Sequence, residues 1–253
     1  LLSQEMKKKV VYDFRQNDLK NGGEGAPLAP IFHKLISKKI KVEPPLCVIN
    51  LGGIANITSI ESGEISDLGS QDIGPGNCLI DEWIKKNTDK KYDKDGFIAK
   101  SGKKDILILN QALDNHDNLK KKNILSYDTK DFDVSFVRGL SLEDGAATLT
   151  EFTGKLLAEA TLNYISKLNR KPKKILVCGG GRKNLTLINC LKDNMNNGNL
   201  VENIDNYDVD GDFIESQAFA YLAIRSFLNL PISFPRTTGC KHPSTGGKLA
   251  NNF

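Results

Sequence analysis

Apolar and polar positions switch between two periods along this chain, and the switches mark its elements. Val10 to Tyr12 is a short apolar strand, closed by the glycine-rich loop Asn21-Gly22-Gly23-Glu24-Gly25-Ala26-Pro27. Ile31, Leu35 and Ile36 then recur at helical spacing and predict a short helix over 30–37. Residues 38–45 read as a polar connection that Pro44-Pro45 holds extended, and strands are predicted at 46–50 and 54–60. Leu79, Ile80, Trp83 and Ile84 give one apolar face to a helix over 77–86. Residues 88–138 are polar and irregular apart from a helix near 106–113, and are expected to carry a mobile or substrate-facing segment.

From Ser141 the periodicity sharpens. Ser141-Leu142-Glu143-Asp144 resembles a capping box, and Leu149, Phe152, Leu156, Leu157, Ala160, Tyr164 and Ile165 follow at helical spacing, predicting the longest helix. A short strand over 174–178 stops at Gly179-Gly180-Gly181 and leads to a helix over 185–193. A last helix is predicted over 213–228, followed by a loop-rich tail from Pro231. The chain shows no internal repeat and no low-complexity tract.

With 253 residues the chain can bury a sizeable core, as one large domain or two small ones. The formal charge of +4 is spread in short lysine groups at 7–9, 120–122 and 171–174, none interleaved with aromatic residues, so nucleic acid is not an expected partner. Five widely spaced cysteines without a Cys-x-x-Cys pair argue against a disulfide framework or zinc knuckle, and His33 and His116 are isolated, so no protein metal site is expected. No apolar run approaches the ~20 residues of a membrane span and no signal peptide opens the chain, so a cytoplasmic protein is expected. The start at Leu1-Leu2-Ser3, without an initiating methionine, reads as a fragment whose beginning is missing.

Candidate chemistry concentrates in 48–77. A strand runs into Asn50-Leu51-Gly52-Gly53-Ile54-Ala55-Asn56, and Asp72-Ile73-Gly74-Pro75-Gly76-Asn77 reads as a second glycine turn leading into a helix N-terminus. Such turns bring backbone N–H groups against a phosphate, and an anion is favoured at a helix start, within reach of a carboxylate such as Asp72. Strand, Gly179-Gly180-Gly181, helix is a further nucleotide-type arrangement. Taken singly, each glycine pair is more simply a turn and Asp72 an Asx cap, with Asp81 a surface or supporting group; together, after strands of an open α/β sheet, they point to phosphoryl transfer. The common Walker pattern is absent. Asp13 and Arg15, beside the first glycine loop, are either a structural ion pair or an anchor for a polar substrate.

These residues carry a resemblance. Asp13-Phe14-Arg15 with Gly22 to Leu28, Asn50 to Asn56, Asp72 to Asn77, Ala147-Thr148-Leu149, Cys178 to Gly181 with Asn184, and Glu215 with Ala218-Phe219-Ala220 together resemble anhydro-N-acetylmuramic acid kinase, in order and over nearly the whole chain. The resemblance implies an α/β, actin-like ATPase (ribonuclease H-like) sugar-kinase fold that is incomplete at its N-terminus. Residues 1–45 would be a remnant of the first kinase domain, and 46–253 the second domain with a C-terminal tail. It implies a phosphotransferase with an alcohol acceptor: water opens the 1,6-anhydro ring while O6 takes the γ-phosphoryl of ATP, giving N-acetylmuramic acid 6-phosphate in peptidoglycan recycling. Asp72 would be the base that activates water, Gly52 and Gly53 would face the phosphates, and Gly179, Gly180 and Gly181 would border the adenosine. Arg15 and Glu215 would contact sugar or water, Mg2+ would neutralise the phosphates, and a homodimer is among the expected assemblies.

The chain departs from the family in lacking its glycine- and serine-rich phosphate loop, in Ile73 where threonine is usual, and in the poorly matching stretch 126–133. The chain alone is therefore expected to be nearly inactive and the full-length protein to be a kinase. Another actin-like sugar or acid kinase, or a non-catalytic binding fragment, are the alternatives.

Overall fold

The computed structural model describes residues 2–119, 127–195 and 197–251. The lysine group at 120–122, the first residue of the stretch 126–133, Leu1 and the last two residues lie outside them. In chain order the elements are α1 (Leu2–Met6), β1 (Val10–Tyr12), α2 (Gln16–Lys20), α3 (Pro30–Lys39), β2 (Leu46–Leu51), β3 (Ile54–Ile60), β4 (Leu68–Pro75), α4 (Cys78–Asn87) and α5 (Phe97–Ser101). There follow α6 (Ile106–Leu119), α7 (Leu142–Ser166), β5 (Ile175–Cys178), α8 (Leu185–Asp193), β6 (Val201–Asn203), α9 (Ile214–Phe227), α10 (Pro235–Thr238) and β7 (Lys248–Ala250).

Five strands form the central sheet in the order β4-β3-β2-β5-β6. β3 runs antiparallel to β2 and β4, whereas β2, β5 and β6 are parallel. A meander of three strands followed by two parallel ones on its far side is the ribonuclease H-like order, so the expected mixed α/β fold is present. β1 pairs with β7 in a separate two-stranded ribbon, which ties the first strand to the tail.

Side chains of a strand alternate between faces, and both faces of this sheet are covered. Cys47, Ile49, Leu51, Ile57, Ile175 and Val177 pack with Leu79, Ile84, Leu149 and Leu187 on one side, under α4, α7 and α8. Leu46, Val48, Ile60, Leu176 and Cys178 pack with Ile31, Phe32, Ile214 and Leu222 on the other, under α3 and α9. Burial on both sides explains why the central strands read as continuous apolar runs rather than strict alternations. Ser141 caps α7, its hydroxyl accepting from the Asp144 N–H at 3.1 Å. Trp83 joins α4 to α7 by donating its indole N–H to the Leu142 carbonyl at 2.9 Å.

The element that carries Asp72 departs from the sequence reading. Asp72 does not sit in a turn: it lies inside β4, opposite Asn56 of β3, where the register shifts between Ala55 and Asn56. The glycines and polar residues of β4 hide its strand character, and its pairing with β3 supplies it. Such a bulge bends the strand and re-aims its side chains, which suits a functional carboxylate.

Candidate active site

Three of the glycine motifs converge on one corner of the sheet. The Gly52 carbonyl accepts from the Asn77 N–H at 2.8 Å, and the Gly53 carbonyl accepts from the N–H groups of Gly76 at 2.8 Å and Cys78 at 3.2 Å. A side chain at Gly76 would begin 2.2 Å from the Gly52 oxygen, so only glycine permits this approach. The first turn thus caps α4, and those three N–H groups are directed at carbonyls rather than offered to an anion. Gly179, at φ +81°, presses on the same corner, where a Cβ would lie 2.4 Å from Asn50 Oδ1 and 2.7 Å from the Leu51 oxygen. Gly181 backs onto Asn77 and Leu51.

Two cavities flank this corner. The larger, of about 490 Å3, is lined by Asn77, Asp81, Tyr92, Asp95, Gly180 and Lys183 among others. Gly180 is open on this side, with no atom near where a Cβ would stand. Asn184 is the N-cap of α8, accepting from the Leu187 N–H at 3.0 Å, so a short 3-10 turn separates the glycines from that helix. Arg182, almost fully buried behind the glycines, binds Asp205 at 2.9 Å and Asp212 at 2.7 Å and donates to the Gly179 carbonyl at 3.1 Å. Lys183 also pairs with Asp212. Asp81, which the sequence left as a surface or supporting group, faces this cavity, and burial pushes its carboxyl up to about 6.

The smaller cavity, of about 160 Å3, gathers Arg15, His33, Asn50, Asn56, Asp72 and Glu215 on its walls. Three residues singled out in the sequence, separated by up to two hundred positions, therefore meet here. Asp13 does not pair with Arg15; its carboxylate binds Lys248 Nζ at 2.5 Å across the β1–β7 ribbon. The loop 22–27 is held over the cavity by Asp18, whose buried carboxylate accepts from the Gly25 N–H and the Thr238 hydroxyl, each at 2.7 Å. Half-buried Asp72 accepts from the Tyr127 N–H at 3.0 Å. Burial raises its pKa above the ordinary carboxylate range, the Tyr127 N–H pulls it back, and nearby Glu24 raises it further. A carboxylate held in this state is suited to take a proton.

Sequence reasoning passed over His33, Asn56 and Asp18. His33 was set aside as isolated, although a histidine between Phe32 and the apolar positions of α3 is a polar group on a buried face. Among the described residues no group of three or more His, Cys, Asp or Glu could hold a metal ion. No described helix is long and apolar enough to cross a membrane.

The molecule is thus a mixed α/β protein of ribonuclease H-like strand order, with a raised carboxyl in one cavity and open glycine backbone in its neighbour. The family model for anhydro-N-acetylmuramic acid kinase matches residues 1–251, and the chain belongs to that family. A protein of Pelagibacter ubique carrying that description is 54% identical over all of this chain and 68% of its own length. Those of Zymomonas mobilis and Rhodospirillum rubrum are 44% and 41% identical, each over 98% of this chain and over 65% and 63% of their own lengths. The chain thus spans about two thirds of the curated relatives it matches. The solved structure of the activator of 2-hydroxyisocaproyl-CoA dehydratase from Clostridium difficile with bound ADPNP aligns at TM-score 0.43 with 11% identity, over 74% of this chain and 64% of that one, too loose a likeness for an inference.

Proposed function

We propose that the full-length protein is an ATP-dependent kinase of 1,6-anhydro-N-acetylmuramic acid, acting in peptidoglycan recycling in the cytoplasm. The observation that carries this reading is the meeting of Asp72, Arg15 and Glu215 in one small cavity beside the glycine corner. Asp72 takes a proton from water, whose oxygen forms the new bond to C1 of the sugar. The C1–O6 bond breaks, O6 takes the γ-phosphoryl group of ATP, and ADP leaves. Arg15 and Glu215, across the cavity, orient the sugar or the water.

The larger cavity has the size and the open backbone expected for the nucleoside, with Gly180 at its wall. Gly52, Gly53, Gly179 and Gly181 set the corner between the two ligands. Mg2+ supplies charge neutralisation at the phosphates; without a three-residue ligand cluster in the described residues, phosphate oxygens and water would hold most of its coordination. All five cysteines are free thiols, which suits a reducing compartment. A homodimer belongs to the same reading, and light scattering on the full-length protein reports it.

The test is ATP-dependent phosphorylation of the anhydro-sugar by the full-length protein, set beside a panel of other sugars and acids. Turnover of the anhydro-sugar with incorporation of one oxygen from labelled water at C1 is expected; faster turnover of another acceptor would overturn the reading.

A further inference from the structure

Arg182 lines neither of the two cavities, yet it binds the segments that form a wall of each. It is only 2% exposed. On one side its Nη1 donates to the Gly179 carbonyl at 3.1 Å, in the turn whose next residue, Gly180, opens on the larger cavity. On the other side its Nε reaches both carboxylate oxygens of Asp205, at 2.9 and 3.0 Å, and Nη1 reaches Asp212 at 2.7 Å. Asp205 also accepts from the Gly211 N–H at 2.9 Å, and a Cβ on Gly211 would begin 2.2 Å from Arg182 Nε. The loop 205–212 is therefore wrapped closely on the guanidinium. Two residues later it becomes α9, whose first residues Ile214 and Glu215 line the smaller cavity.

Stability is a weak reason for such a residue. Removing a guanidinium from water is costly, and apolar side chains of similar volume commonly serve a fold as well as a buried ion pair does. What they cannot supply is direction. The guanidinium is a planar fork with fixed donor directions, so the Gly179 carbonyl, Asp205 and Asp212 must keep one mutual geometry to be bound together. The glycine end of this link has no slack. Gly179, at φ +81°, is wedged against Asn50 Oδ1 and the Leu51 carbonyl, and Asn50 itself lines the smaller cavity.

We infer that Arg182 is a positioning residue that sets Glu215, through loop 205–212, in register with the glycine turn of the nucleotide wall. This rests on the proposed function and deepens it by naming what aligns the acceptor with the phosphoryl donor. Arg182 touches neither substrate; it acts through Glu215 on one and through Gly179 on the other. Transfer between two bound substrates is sensitive to such alignment, since a displacement of about 1 Å can cost roughly 10²-fold in rate.

The experiment is a double-mutant cycle in the full-length protein, read as kcat/KM for 1,6-anhydro-N-acetylmuramic acid at saturating ATP. Arg182→Lys keeps the charge and loses the fork. It is expected to lower kcat/KM by roughly tenfold or more when Glu215 is present, and by no more than about twofold in a Glu215→Gln background. Its effect on the KM for ATP, which passes through the glycine turn, is expected to be the same in both backgrounds. Gly211→Ala leaves every charge in place and pushes Nε aside; it is expected to give the same pattern, and it carries the test should Arg182→Lys fail to fold. Equal losses for the sugar in the two backgrounds, as a purely structural arginine would give, or no loss in either, would overturn the assignment while leaving the kinase reading intact. Absence of turnover of the anhydro-sugar by the wild type would overturn the kinase reading and the assignment with it.

Discussion

The cavity at Asp72 and the cavity at Gly180 flank the same corner, yet their walls differ in kind. In the smaller one, among the described residues, His33 Nε2 and Asn56 Oδ1 are buried without a partner, and Asp72 accepts from the Tyr127 N–H. In the larger one Lys183 and Asp212 reach solvent and pair with each other, although burial raises the pKa of Asp81 beside them. Desolvated groups penalise a wrong ligand heavily, because each leaves a bond unmade. Solvated, internally paired charges lose little when a ligand changes. On the proposed reading, the smaller cavity takes the acceptor and the larger one the bulkier cosubstrate.

The difference is best broken by removing the carboxylate of the smaller cavity. Asp72→Asn in the full-length protein should lower kcat by roughly 10²- to 10⁴-fold, with the KM for ATP little changed. Retention of wild-type kcat would remove Asp72 from the chemistry. The direction of its pKa shift adds a pH signature. The base works only when deprotonated, so the acid limb of kcat/KM should lie above the pH at which an ordinary carboxylate titrates. The same shift carries a stability sign: a raised folded-state pKa means stability falls as pH rises from the unfolded to the folded value, so Asp72→Asn should melt at or above the wild-type temperature near neutrality.

The glycine corner between the cavities gives the next effect. Gly179→Ala places a Cβ against Asn50 and the Leu51 carbonyl at a positive φ, and should cost about 1–3 kcal/mol, read as a melting temperature lower by roughly 2–4 °C per kcal/mol. An unaltered melt would mean that the corner yields more easily than its close contacts indicate.

Smaller effects are expected in the larger cavity. Asp81 titrates near 6, so lowering the pH through that value should tighten ATP binding by roughly two- to threefold in wild type relative to Asp81→Asn. Parallel pH profiles for the two proteins would exclude Asp81 from the nucleotide's surroundings. Lys183→Ala removes an exposed, partly neutralised charge and should raise the KM for ATP by about threefold or less. A loss comparable to that of Asp72→Asn would erase the contrast between the cavities.

Much of the framework was legible along the chain. α8 falls on the expected residues, and β3 does so because its boundaries coincide with glycine and serine breaks. α3, α4, β2 and β5 differ from expectation by a residue or two at their ends, where fraying and capping decide. β4 was not legible, since Gly69, Gln71, Asp72 and Gly74 offer no strand period and the strand exists through its ladder with β3. The irregular region likewise hid α5, whose first turn is held by the Asp93 carboxylate accepting from Ile98 and Ala99, and the end of α6 beyond residue 113. In the site, Asp72, Arg15 and Glu215 could be nominated from motifs, whereas His33 and Asn56 could not, because an orphaned atom is defined by what surrounds it.

The order of apolar and polar residues settled where strands and helices form, since period and glycine punctuation act over a few neighbours. It also settled the chemical types available: one carboxylate beside a Gly-Pro-Gly run, a glycine triplet, a lone arginine. Only the tertiary structure decided that the Gly52 carbonyl would cap α4, that Arg15 and Glu215 would share a cavity with Asp72, and that His33 would be buried against Thr58. Those outcomes depend on desolvation and on contacts between distant segments, and neither is encoded in local spacing.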